Sequence, residues 1–159
     1  MDLYLLRHAR AERAGPDGDE ATRPLAEKGQ RDARRLGRWI RERELAFDLV
    51  ATSPHARARE TAVLVLQSTD APPPLEAWDE LGPEGTVEAV LARLAALDPA
   101  GAVLLVGHKA LLSALASAGI GGGRVRLAVG SLARVRRFAP ESGGELEWLV
   151  TPAVIAPRP

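Results

Sequence analysis

Three short segments of the chain carry side chains suited to one kind of chemistry: Arg7-His8, Ser53-Pro54-His55-Ala56-Arg57 and Gly107-His108. Arginine presents a planar fork of N–H donors that matches phosphoryl oxygens two at a time, and it keeps its charge at any physiological pH. A neutral imidazole is a competent nucleophile at phosphorus near pH 7. A second imidazole, when protonated, stabilises the charge on the equatorial oxygens of a transferring phosphoryl group. Two arginines and two histidines brought together therefore point to phosphoryl transfer through a phosphohistidine intermediate. The chain has three histidines, enough on paper for a catalytic zinc. Two arginines in the same pocket would repel a dication, and no carboxylate pair shows ligand spacing, so no metal and no other cofactor is expected.

Each segment follows a run that reads as a buried strand: Leu3–Leu6, Phe47–Thr52 and Val103–Val106. In open α/β sheets ligands gather beyond the carboxyl ends of the strands, so the three segments should converge on one edge. Helical periodicity fills the intervals. Ala33, Leu36, Trp39 and Ile40 mark the apolar face of a helix over Glu27–Arg43, with Arg31, Arg34, Arg35 and Arg38 on its wet side. Ser53-Pro54 looks like a helix start, with serine as N-cap and proline at the first helical position. Thr86 caps a third helix, and His108 opens a fourth that ends at Gly121-Gly122-Gly123. Two closing strands are expected near Ser131–Phe138 and Glu145–Val150. The order predicts a three-layer α/β/α sandwich on a mainly parallel central sheet. Residues 1–152 are expected to form one domain, followed by a loose tail over 153–159.

Composition removes competing classes. The 159 residues are 46% apolar and 26% charged, an ordinary globular balance. The 21 basic and 21 acidic residues cancel, so the broad positive field used for non-specific nucleic-acid binding is missing, and no nucleic-acid partner is expected. All the basic residues except Lys28 and Lys109 are arginine. The absence of cysteine excludes disulfides, thiolate metal sites and the cysteine-nucleophile route. No apolar run approaches the roughly 20 residues that span a bilayer, and the N-terminus lacks a signal-peptide pattern, so a cytoplasmic protein with no membrane partner is expected.

Leu5-Leu6-Arg7-His8-Ala9, then Ser53-Pro54-His55-Ala56-Arg57-Ala58-Arg59-Glu60-Thr61-Ala62, then Val106-Gly107-His108 together resemble the histidine phosphatase superfamily, the phosphoglycerate-mutase-like enzymes. The resemblance spans the chain and favours the small bacterial branch of SixA-type phosphohistidine phosphatases. Arg23-Pro24-Leu25 with Gly29, Glu80-Leu81 with Pro83, and Trp148 with Thr151-Pro152 carry that part. It implies the phosphoglycerate-mutase-like fold, His8 as the phosphorylated nucleophile, and Arg7, Arg57 and His108 as the rest of the phosphate pocket. Larger relatives use a glutamate to protonate the leaving oxygen, and Glu80 is the candidate here. Ala9 stands where much of the superfamily has glycine, which raises the question of a positive φ at that position.

Other readings compete at single residues. His55 is expected at the rim of the pocket, Ser53 as an N-cap only, and the arginine stripe as a solvated helix face able to dock an acidic protein. The expected activity is a metal-independent phosphatase acting on phosphohistidine borne by a protein, such as a histidine phosphotransfer domain. A leaving imidazole needs only modest acid assistance, and a chain this short has little sequence to spare for a lid. The alternatives are a phosphatase of small phosphate esters and a non-catalytic phosphate-binding module.

Overall fold

The computed structural model describes residues 1–14, 18–98 and 101–156. The strands are β1 (Asp2–Arg7), β2 (Leu49–Thr52), β3 (Leu75–Ala77), β4 (Ala102–Gly107), β5 (Leu132–Ala139) and β6 (Gly143–Val150). They form one sheet in the order β3-β2-β4-β1-β5-β6. The first four in that order run parallel, and β5 and β6 join antiparallel at the edge. The helices are α1 (Glu27–Glu42), α2 (Ala56–Leu66), α3 (Val87–Ala95), α4 (Lys109–Gly119) and α5 (Pro152–Ile155).

The central strands alternate their side chains between two cores, as a period of two requires. Leu3 and Leu5 of β1 pack with Val90, Leu94, Leu112 and Leu115 on the α3–α4 face. Tyr4 and Leu6 pack with Leu36, Ile40, Ala62 and Val65 on the α1–α2 face. Both faces of the sheet are thus covered, which is why β4 reads as an unbroken apolar run. The expected α/β/α sandwich on a mainly parallel sheet is the fold observed.

Register determines what reaches the carboxyl edge. Leu6 pairs with Val106, which pairs with Thr52, so Arg7, Gly107 and Ser53 follow at the same level in three adjacent strands. Backbone bonds lock the exits: the His8 amide donates to Gly107 O (3.0 Å), the Ser53 amide to Val106 O (2.9 Å) and the Arg7 amide to Ser131 O (3.1 Å).

Two expectations need correction. The helix after β2 begins at Ala56 with His55 as N-cap, not at Ser53-Pro54: Ser53 lies outside the helix, and its hydroxyl accepts from the His55 amide and from the site described below. The C-terminal stretch is not loose from Ala153 onward: Pro152–Ile155 forms α5, and Ile155 packs against the α1–α2 core. Residues 157–159 of the expected tail lie outside the described residues.

Candidate active site

The four pocket residues expected from sequence meet at the carboxyl edge of the sheet. Arg7 ends β1, His8 follows it, Arg57 lies in the first turn of α2, and His108 is the N-cap of α4. The His8 and His108 rings meet edge to face with centroids 5.4 Å apart. Arg57 Nη2 donates to His108 Nδ1 at 3.3 Å. Arg57 and His108 are 5% and 8% exposed, so these contacts are made largely out of water.

Hydrogen bonding fixes the tautomer of both imidazoles. The partner of His8 Nδ1 is Ala9 O at 2.8 Å, a carbonyl that only accepts, so Nδ1 carries the proton and Nε2 keeps its lone pair. At His108 the logic reverses. Nδ1 accepts from Arg57, so the proton sits on Nε2 and is donated to Ser53 Oγ at 2.9 Å. Ser53 Oγ, wholly buried, also accepts the His55 amide at 3.3 Å.

Electrostatics keep both rings neutral. Burial lowers the His8 pKa from 6.5 to about 4, aided by Arg57, Arg7 and Arg23 and opposed by the Ala9 hydrogen bond. Burial also takes His108 down to about 3, helped by Arg57, His8, His55 and Arg23. The protonated second histidine considered from sequence is therefore not the resting state; nearby guanidinium charge and burial hold it neutral.

The arginines are aimed and held by backbone oxygens. Arg7 Nη1 donates to Leu127 O at 3.1 Å, and Arg57 Nη1 donates to Glu20 O with the Glu20 carboxylate 3.7 Å away. Their Nε atoms are buried without a hydrogen-bond partner. A buried N–H left unpaired is costly, so each of these groups would gain from an acceptor.

The loop residues around the nucleophile are fixed by close approach. The Ala9 amide donates to Thr61 Oγ1 at 3.1 Å, and Thr61 Oγ1 in turn donates to Arg57 O at 2.6 Å. Gly130 donates its amide to His8 O at 3.1 Å from a φ of +70°, a conformation that favours glycine. Ala9 itself adopts no positive φ: among the described residues the non-glycine examples are Glu44 and Arg137. Alanine therefore carries no backbone strain there.

The remaining sequence candidates have mixed placements. His55 sits beside the pocket, its ring centroid 5.3 Å from that of His108 and its Nδ1 buried without a partner. Glu80 lies in a 3₁₀ turn, Asp79–Leu81, that packs against the end of β4. Both of its oxygens accept from Arg93 Nη1, at 3.1 and 2.9 Å, so its hydrogen bonds do not go to the pocket. Sequence reasoning missed Ser53, Thr61, Arg23 and Glu20 as parts of the site. Ser53 and Thr61 were visible inside the second motif, but serine before proline also spells an N-cap, and nothing in one dimension separates the two uses.

Known proteins resemble the chain in sequence and in fold. A family model of the histidine phosphatase superfamily (branch 1) matches residues 3–82. The phosphohistidine phosphatase SixA of Escherichia coli K12 is 31% identical over 117 residues, 72% of this chain and 71% of that one. A structure of the protein histidine phosphatase SixA complexed with tungstate superposes with a TM-score of 0.88 at 26% identity, covering 98% of this chain and all of that one. The α-ribazole phosphatase of Shigella flexneri shares the fold at a TM-score of 0.75 and 23% identity, with 96% of this chain and 97% of that one covered. The chain belongs to the histidine phosphatase superfamily, and it is a phosphatase of that group.

Proposed function

We propose that the protein hydrolyses phosphohistidine on a protein substrate through a phosphorylated His8, without a metal. The observation that carries this is the His8 tautomer: Nδ1–H is tied to Ala9 O, leaving the Nε2 lone pair free in a pocket with two arginines. His8 Nε2 attacks phosphorus, and the bond from phosphorus to the leaving nitrogen breaks with its electron pair going to that nitrogen. Arg7, Arg57 and His108 hold the three non-bridging oxygens. A phosphoryl dianion reverses the local field that keeps His108 neutral, so its Nδ1 takes a proton and donates to an oxygen. The phosphorylated His8 ring keeps its Nδ1 proton and is cationic, which makes Nε2 a good leaving group when water attacks phosphorus. Inorganic phosphate leaves and neutral His8 is restored.

The leaving group decides how much acid help is needed. The ring of a substrate phosphohistidine accepts a proton at its other nitrogen before the P–N bond breaks, whereas an alkyl oxygen has no such second site. Glu80 is the proposed proton donor for esters, and it serves only after leaving Arg93. The two side chains are 31% and 38% exposed, so that pair is worth about 1 kcal/mol or less and does not bar the role. Hydrolysis of small phosphate esters is the second reading, favoured by the likeness of fold to a small-molecule phosphatase.

The test is turnover of a histidine phosphotransfer domain phosphorylated on histidine beside turnover of p-nitrophenyl phosphate, each with and without EDTA. Both reactions should survive chelator, and rapid acid-free quenching should trap phosphate on the wild-type chain but not on His8→Ala. Full activity of His8→Ala would refute the nucleophile. A strong preference for the small ester would move the function to the second reading.

A further inference from the structure

We propose that the Glu20 carboxylate is a built-in counter-anion of the phosphate pocket, one that weakens the hold of the pocket on phosphate and so speeds release of the product. The proposal rests on the reading of Arg57 as a phosphate ligand. One oxygen of Glu20, Oε2, lies 3.0 Å from Arg23 Nη2 and 3.7 Å from Arg57 Nη1. A single carboxylate oxygen thus stands within ion-pair distance of two guanidinium groups. Arg57 is buried and the Glu20 side chain is half exposed, so the anion meets the buried cation from the solvent side.

Local structure holds Glu20 there. The Asp19 carboxylate accepts the Ala21 amide at 2.8 Å and the Thr22 hydroxyl at 3.1 Å, which closes a turn over residues 20–22. Ala21 O in turn accepts the amide of Ala56, the first residue of α2, at 2.8 Å. The first amides of a helix have no partner within it, and α2 lacks a side-chain cap, so the turn takes up one of them. Glu20 is thereby pinned beside the first turn of α2, where Arg57 lies, and its carbonyl accepts from Arg57 Nη1. That backbone bond aims the guanidinium whatever side chain stands at position 20, so the carboxylate adds charge. The pairs Arg31–Glu27 and Arg35–Asp32 differ in kind: each joins residues on the surface of α1, whereas Glu20 reaches from a turn to a buried residue of another element.

The charge is felt inside the pocket. Burial first, then the charge of Arg23, lowers the Arg57 pKa, and Glu20 raises it. Arg23, the other partner of Glu20, also helps to lower the pKa values of His8 and His108, in each case after burial. A phosphoryl dianion entering beside Arg57 therefore meets the attraction of the arginines and the repulsion of Glu20. Substrate, transition state and inorganic phosphate all carry negative charge on the phosphoryl oxygens, so Glu20 acts on them alike. An interaction of that kind changes affinity without changing the chemical step. It raises KM and the dissociation constant of the product together, and product release limits turnover in many enzymes.

The experiment compares wild type with Glu20→Gln, which keeps the length and polarity of the side chain and removes its charge. The Kd of Glu20→Gln for tungstate and for inorganic phosphate, read by calorimetric titration, should be about three- to fivefold lower than that of wild type, the range open to a partly exposed charge. The difference should shrink above roughly 0.5 M salt. KM for p-nitrophenyl phosphate should fall alongside, and kcat should not rise. Glu20→Asp keeps the charge, and its Kd should stay within about twofold of wild type. A Glu20→Gln Kd equal to or above that of wild type, a Glu20→Asp protein that behaves like Glu20→Gln, or a kcat that rises would each overturn the counter-anion and leave the pocket standing. Arg57→Ala tests the pocket separately: it should lose tungstate binding, and undiminished binding would overturn the pocket reading and the counter-anion with it.

Discussion

Replacing Ser53 by alanine should separate a positioning role from a merely structural one. In the native protein Ser53 Oγ accepts from His108 Nε2 at 2.9 Å and from the His55 amide at 3.3 Å, and the residue is fully buried. Alanine leaves both N–H groups without that acceptor. A buried donor deprived of its partner costs about 1–3 kcal/mol, and the longer, half-buried bond to His55 costs less, so a loss of about 2–3 kcal/mol is expected. For a chain of this size that corresponds to a fall in Tm of about 5–10 °C, readable by circular dichroism. The same change frees His108 to place its proton on Nδ1, competing with Arg57 for that atom. Weakening the anchor by about 1.4 kcal/mol in the transition state predicts a kcat about tenfold lower on p-nitrophenyl phosphate, with KM less affected. Long-range proton–nitrogen spectra should show the Nε2–H tautomer of His108 in wild type and its loss in Ser53→Ala. Ser53→Thr keeps the hydroxyl while adding a methyl to a filled site, so it should lose stability yet retain the tautomer. A folded Ser53→Ala protein with the wild-type tautomer and an unchanged kcat would refute the reasoning.

Acid should destabilise the fold through the two pocket histidines. Their folded pKa values, about 4 and about 3, lie below the unfolded 6.5, so the unfolded chain binds more protons and stability is lost as pH falls below 6.5. Each contributes a slope of about 1.4 kcal/mol per pH unit over that window, and urea midpoints for wild type and His108→Asn between pH 7 and pH 5 should differ accordingly. An oxyanion such as tungstate, at about one hundred times its Kd, should stabilise the fold by about 2.7 kcal/mol; thermal shift should detect this, and Arg57→Ala should abolish it. Gly29→Ala would place a Cβ 2.0 Å from Arg10 O, forcing α1 off the loop that follows His8. A loss of about 3 kcal/mol or more with reduced turnover is expected in denaturant titration and activity assay, and a silent substitution would contradict the packing described.

The strands were legible because burial on both faces leaves apolar runs that no other element needs, as in Val103–Val106. The four pocket residues were legible because arginine and histidine directly after such runs have no packing use, and parallel strands bring their carboxyl ends to one edge. Local signals left two uses open where one residue type serves both. Ser53 has the chemistry of an N-cap, and only register, which sets Thr52 level with Val106, carries its hydroxyl to His108. Glu80 has the chemistry of a general acid, and only the packing of α3 gives it Arg93 as partner.

The sequence by itself determined the inventory, two guanidinium groups and two imidazoles with no thiol to compete, and the order of elements that gathers them. Tertiary structure decided their protonation and tautomers. A histidine's pKa and proton position depend on burial and on partners distant in the chain, here Arg57 and Ser53 for His108, and those terms do not exist until the sheet has set its register.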